Sequence, residues 1–413
     1  MTKRSNFSRR PMPKNLFKVS GFRFSGISAG IKQTKKPDLA LVYSETPAVV
    51  SGTFTTNRVQ AAPVLVSKKN IRSGLCRAVI INSGNANACT GARGLKDAEA
   101  MVRAVAGSLK IPPSQVFVCS TGKIGVSLPI AKIVSKIPTA AKKLSSDGFL
   151  KSAEAILTTD KGVKIAEARV RIGRSPCRIV GFAKGAGMIE PHMNTKSATM
   201  LAFILTDARV EKKVLDVLTR NCAEETFNRV TVDGDTSTND TALVLANGCA
   251  GNRPFKLKTP DCRRFGAGLW SVMDSLARQM VADGEGATKC VRIEIRRARN
   301  DAEARSMAYT VANSLLVKTS FFGEDPNWGR IMGAIGRSGA TLDPDRVDIS
   351  YGRVTVFRRG ISTGLQADRR AKKVMKKPAF TVTVDCHLGD GVFGVYCSDL
   401  SLEYVKINSC YRT

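Results

Sequence analysis

Residues 200–205 read MLAFIL, an apolar run with no polar position in it. A run of that length and composition is a strand, and one with no alternation has no face left for water. The chain must therefore cover it on both sides, which requires a layered structure. The run is preceded by the Gly-rich, Pro-kinked stretch KGAGMIEPHMNTKSA, and Thr199 stands at the seam between the two.

Strand-like and helix-like segments interleave along the rest of the chain. AVIIN (78–82) and VFVCS (116–120) read as buried strands around the helix GLKDAEAMVRAVAGSLK, where Ala98, Met101, Val102, Val105 and Leu109 share a face. LSSDGFLKSAEAILTTD reads as a helix capped by Ser145, Ser146 or Asp147, followed by strands ARVRI and RIVGFAK. VEKKVLDVLTRNCAEETF places Val214, Leu218 and Cys222 on one helical face, and TALVLANG follows as a strand. AGLWSVMDSLARQMVADG and DAEARSMAYTVANSLLVKT each read as one long helix, with the strand CVRIEI between them. The last third reads mainly as strands: VDISYG, FTVTVDC and SLEYVKI. This alternation implies an α/β protein, without the strict βαβ repeat of a plain Rossmann sheet or barrel.

Composition narrows the chemistry. The chain has 413 residues, enough for two domains or one large multilayer unit, and no run approaches a membrane span. Its N-terminus is basic and acid-free and lacks an apolar signal core, so residues 1–20 read as a basic extension. Eleven Cys without a CxxC pair read as buried free thiols in a reducing compartment. Two histidines leave His-based catalysis or metal binding short of parts. The net charge of +31 invites a polyanion, yet 6% aromatic residues and no nucleic-acid motif argue against a specific nucleic-acid partner.

Several loops are rich in exposed donors. NSGNANACTG (82–91) and CSTGKIG (119–125) each follow a predicted strand, and a Thr-Gly there either forms an oxyanion hole or an ordinary turn. FNRVTVDGDTSTNDTALVLANG brings Asp233, Asp235 and Asp240 together; it lacks the later Glu of a calcium loop and reads as a rigid polar loop. DGEGATK presents Glu285, and the C-terminal LEYVKINSCYRT presents Asn408 and Thr413. No P-loop or dinucleotide fingerprint is complete.

With histidine scarce, a nucleophile needs another base. Breaking the bond between Ala198 and Thr199 would give Thr199 a free α-amine, of ordinary pKa about 7.7–8.0, able to take its own hydroxyl proton. The residues alone leave open the alternative of an ordinary threonine at a strand edge.

The ordered set GISAGIK, SGTFTTNRVQAAPV, NSGNANACTG, STGKIGVSLP, KGAGMI…P…ATMLAFILTDA, VTVDGDTSTNDTALVLANG, DGEGATK, VKTSFFGEDPNWGRIMGAIG and EYVKIN…YRT resembles the ornithine acetyltransferase family of arginine biosynthesis, from about residue 21 to the C-terminus. That resemblance implies a layered αββα fold similar to N-terminal-nucleophile enzymes. It implies self-cleavage between Ala198 and Thr199, giving an α chain (21–198, after the 1–20 extension) and a β chain (199–413). It implies that Thr199 carries acetyl from N-acetylornithine to glutamate, with Thr121 and Gly122 as the oxyanion pair and Thr158, Lys184, Thr199, Glu285, Asn408 and Thr413 contacting substrate. No metal or cofactor is implied, although some members accept acetyl-CoA as donor. An α2β2 assembly in the cytoplasm, or the mitochondrial matrix of a eukaryote, completes the expectation.

Two departures stand out. HMNTKS places four additional residues before the seam, and Lys123 puts a cation beside the expected oxyanion pair. The rival functions are a self-processing aminopeptidase or amidase and a non-enzymatic basic binding protein.

Overall fold

The computed structural model describes residues 17–34, 36–190 and 200–410. Ala198, Thr199 and Thr413 lie outside the described residues.

The first sheet contains β1 (Phe22–Ile27), β2 (Leu39–Phe54), β3 (Leu75–Asn85), β4 (Val116–Lys123), β5 (Lys164–Ile172), β6 (Ser175–Lys184), β7 (Leu201–Thr206) and β9 (Thr241–Ala246). Its order is β4-β3-β2-β9-β7-β6-β5, with β1 also paired to β2. The pairs β3/β4 and β7/β9 are parallel and the others antiparallel. The second sheet contains β8 (Val230–Thr231), β10 (Cys290–Ala298), β11 (Asp348–Tyr351), β12 (Val354–Arg358), β13 (Ile361–Ser362), β14 (Ala379–Asp385) and β15 (Gly391–Ser398), in the order β13-β12-β11-β14-β10-β15-β8. The protein is α/β, with two mixed sheets and helices around them.

The MLAFIL run behaves as its composition requires. Leu201, Phe203 and Leu205 of β7 enter one core, where α4 (Phe149–Ala155) supplies Phe149 and Ala153. Ala202 and Ile204 enter another, against α5 (Lys212–Glu225) and α6 (Pro260–Ala282). Strands β2, β3 and β4 likewise have two apolar faces: Val42, Val79 and Phe117 join β7's first core, while Leu41, Ile80 and Val118 meet α1 (Ala62–Asn70), α2 (Gly91–Leu109) and α3 (Ile130–Lys142). An aromatic relay crosses the first core, with Phe17 stacked on Phe149 at 5.1 Å, Phe149 edge-on to Phe182 at 5.4 Å, and Phe182 beside Phe203 at 5.2 Å. Each such pair adds about 0.5–1.5 kcal/mol to area burial. Phe17 and Val19, at the end of the expected extension, are thus buried in the fold.

The second sheet is covered by α7 (Asp301–Ala312), α8 (Leu315–Phe322), α9 (Trp328–Gly336) and α10 (Leu365–Met375). Helix α6 contacts β5 and β6 of the first sheet and β10 and β15 of the second, so it joins the two.

Four local expectations are corrected. SLEYVKI is not a strand but the helix α11 (Leu402–Cys410), whose Leu402 and Val405 are 81% and 60% exposed. As a helix it brings Tyr404 to Asp233 and Asn408 to Glu285. The segment 301–319 is two helices, because Asn313 turns its side chain to Thr231 and Glu190 while Ser314 caps α8 by accepting from Val317 N–H. Helix α4 begins after Gly148 without a side-chain cap, since Ser145 bridges to Phe24 of β1 instead. The cysteines are free, as expected, but Cys89, Cys249 and Cys410 are exposed rather than buried.

Candidate active site

The two donor-rich loops are largely strand ends. Thr121 and Gly122 close β4, paired with Ser83 and Gly84 of β3. Gly122 has φ of 131°, and a Cβ there would lie 2.4 Å from the Gly84 carbonyl carbon, so only glycine fits. The sheet curls enough for Asn239, just before β9, to donate to the carbonyls of Ala86 (2.6 Å) and Ser120 (2.9 Å). Ser120 Oγ in turn donates to Asn82 Oδ1 at 2.6 Å. These bonds fix the backbone of Ser120, just before Thr121, and of Ala86, just after β3.

Lys184 ends β6 opposite Leu201, and its Nζ donates to Thr121 Oγ1 at 3.1 Å. Both side chains are almost wholly buried, at 3% and 1% exposed. Burial pushes the Lys184 ammonium below its ordinary value, an effect that Asp160 opposes. For Asp160, burial acts against ionisation, but Lys184 and Lys164 hold the carboxyl well below the usual range. Asp160 Oδ1 accepts from Lys164 Nζ (2.6 Å) and Gly185 N–H (2.8 Å), and its Oδ2 accepts from Thr158 N–H (3.0 Å). One carboxylate thereby positions both Thr158 and the start of the Gly-rich segment.

Glu285 approaches from the other side. Its amide donates to Ala186 O at 2.8 Å, and its Oε2 accepts from Asn408 Nδ2 at 2.9 Å. Gly187 leaves room for this approach, because a Cβ there would sit 2.4 Å from the Glu285 carboxylate and push that side chain aside. Helix α11 makes the arrangement possible: Tyr404 and Asn408 are one turn apart on one face, reaching Asp233 and Glu285. That four-residue spacing was the available signal for a helix.

One cavity is lined by Thr121, Gly122, Thr158, Lys184, Glu285 and Asn408, all six described members of the expected site. Lys123 is not among its lining residues and its side chain is exposed, which corrects its expected place beside the oxyanion pair. Regular alternation would put Lys123 on the same face as Thr121, but the positive φ of Gly122 and the register shift at the β3/β4 end break it there.

Sequence reasoning missed the work of the acidic loop. Asp233 accepts from the amides of Met188 (2.7 Å) and Ile189 (2.9 Å), and burial raises its carboxyl to about 6 against the pull of those amides. Asp240, fully buried, accepts from the amide of Met200. The carboxylates thus diverge to grip backbone on both sides of the seam. A buried cation, a carboxylate, hydroxyls and backbone donors converge in a cavity fit for a small amino acid carrying both charges.

A family model described as the ArgJ family matches residues 23–413. The chain is 49% identical to the "Arginine biosynthesis bifunctional protein ArgJ" of Geobacter sulfurreducens, over 96% of this chain and 100% of that one. It is 47% identical to the protein of the same name from Syntrophotalea carbinolica, again over 96% and 100%. A crystal structure of the Bacillus halodurans protein of that name is 38% identical, with a TM-score of 0.49 over 51% of this chain and 98% of that chain. By the extent of the family match and the identity to full-length relatives, the chain belongs to the ArgJ family.

Proposed function

We propose that the protein is a glutamate N-acetyltransferase of arginine biosynthesis, acting through an acetyl ester on Thr199. The hydroxyl of Thr199 attacks the acetyl carbonyl of N-acetylornithine while the Thr199 α-amine takes its proton. Collapse of the tetrahedral intermediate breaks the amide bond, and the amine returns the proton to the departing ornithine nitrogen. Glutamate then attacks the ester through its own amine, yielding N-acetylglutamate and the free hydroxyl. Thr121 and the Gly122 backbone bear the oxyanion, Lys184 and Thr158 hold substrate carboxylate, and Glu285, oriented by Asn408, holds the ornithine ammonium. Thr413 is the remaining expected contact.

The observation that carries this reading is the convergence of Thr121, Gly122, Thr158, Lys184, Glu285 and Asn408 on one cavity from segments far apart in sequence. The names of the full-length relatives support the pathway. The active form is an α2β2 assembly of residues 1–198 and 199–413 in the cytoplasm, with acetyl-CoA as a further donor. Ornithine release from N-acetylornithine should depend on glutamate and follow ping-pong kinetics. Release at the same rate without glutamate would identify an amidase instead.

A further inference from the structure

The stretch 232–241 holds both described ends of the segment that contains Thr199. Upstream, Val232 N–H donates to Ile189 O at 2.7 Å, beside the two amides gripped by Asp233. Downstream, Thr241 N–H donates to Met200 O at 3.0 Å, and Asp240 accepts from Met200 N–H. Between these carboxylates, Asn239 ties the stretch to Ala86 and Ser120, next to Thr121. A single short stretch is therefore bonded to the nucleophile's neighbour and to the strand ends that carry the oxyanion donors. A fully buried carboxylate is retained only where hydrogen bonds or charge stabilise it, and one of Asp240's bonds goes to the amide immediately after Thr199.

We propose that Asp240 is a positioning residue for the nucleophile: it fixes the amide of Met200, the residue covalently bonded to Thr199, and brings a negative charge within short range of the Thr199 α-amine. This rests on the reading of Thr199 as nucleophile and base. Adjacent backbone nitrogens are about 3–4 Å apart by covalent geometry, so a carboxylate bonded to one lies within short electrostatic range of the other. The other charges are Lys184, which interacts with Asp240, and Asp160, Lys164 and Glu285, which interact with Lys184. Lys32 interacts with Asp160 and Lys184, and Asp233 and Asp235 lie on the same stretch. Asp240 favours the ammonium form of the amine, whereas Lys184 opposes it. Catalysis needs the neutral amine, so activity falls on the acid side as the amine protonates. Removing the Asp240 charge while Lys184 remains must move that acid limb to lower pH.

The test is the pH profile of kcat/KM for N-acetylornithine in Asp240→Asn, which keeps an acceptor for Met200 N–H, and in Asp240→Ser, a second charge-free variant. Cleaved and active charge-free protein should show an acid-limb pKa lower by about half a unit or more. Asp240→Glu keeps the charge on a longer arm; it should keep the wild-type acid limb with reduced kcat. If both charge-free variants fold but remain uncleaved, cleavage in Asp240→Glu alone supports the assignment and equal failure overturns it. An unshifted acid limb in a cleaved, active charge-free variant overturns the role of Asp240 alone. Wild-type protein that transfers acetyl without a free Thr199 N-terminus overturns the underlying reading.

Discussion

Gly122 tolerates no Cβ, since its φ of 131° and the Gly84 backbone 2.4 Å from that Cβ position both exclude one. Gly122→Ala should displace the β3 and β4 ends, costing on the order of 3 kcal/mol. Thermal unfolding and ornithine release should fall together, and a fully active variant would remove Gly122 from the oxyanion pair. Thr199 has two tasks, self-cleavage and acetyl transfer, which substitutions should separate. Thr199→Ala should give one uncleaved chain without transferase activity, whereas Thr199→Ser should cleave slowly and retain partial turnover. Intact mass and N-terminal sequencing, expected to read TMLAF in the wild type, check both outcomes. Cleavage at Thr195 or Ser197 would show that the extra residues before the seam have moved the nucleophile. Glu285→Gln should still cleave but bind N-acetylornithine more weakly, by roughly 2–5 kcal/mol if a buried ammonium loses its charged partner. Unchanged KM in that variant would place the ornithine ammonium elsewhere.

The acidic stretch between β8 and β9 is the element that organises the site. Its Asp233 is raised to about 6, mainly by burial. Because this folded pKa exceeds the ordinary carboxyl value near 3.9, the folded state binds the proton more tightly, and stability falls as pH rises from about 4 through 6. Wild type should therefore gain stability relative to Asp233→Asn as pH falls from 7.5 to 5, by about 1.4 kcal/mol, roughly half of what a two-unit shift gives once the pH lies below both pKa values. Parallel unfolding curves of the two proteins at both pH values would contradict the shift. Helix α11 has a complementary role: it buries none of its own residues yet brings Asn408 to Glu285. Its sequence alternates like a strand over a few residues, and such a short pattern fits either structure. The choice fell to the helix because Tyr404 and Asn408 find partners only when one turn apart.

In the whole molecule, a cut before Thr199 would divide the first sheet without dividing it in space. Strands β1–β6 precede the cut, while β7 and β9 follow it and lie between β2 and β6. Separating the chains would break the β2/β9 and β6/β7 ladders and expose Leu201, Phe203 and Leu205, each worth about 1.5–3 kcal/mol when buried. Cleaved protein should elute as one native species and separate only in strong denaturant, and residues 199–413 expressed alone should not fold. A soluble, folded fragment 199–413 would contradict that interdependence. The MLAFIL run by itself dictated a strand covered on both faces, and the ordered motifs carried the family and six residues that now share a cavity. Those features are legible because burial periodicity and glycine requirements are written into consecutive residues. The break between α7 and α8, the outward course of Lys123, the helix α11 and the gripping of both sides of the seam by Asp233 and Asp240 were not. Lys123 turns outward at the distortion around Gly122, and the other three depend on partners far away in the chain: Asn313 on Thr231 and Glu190, Asn408 on Glu285, Asp240 on Met200. Such pairings exist only after the sheets have curled together, so the tertiary structure decided them.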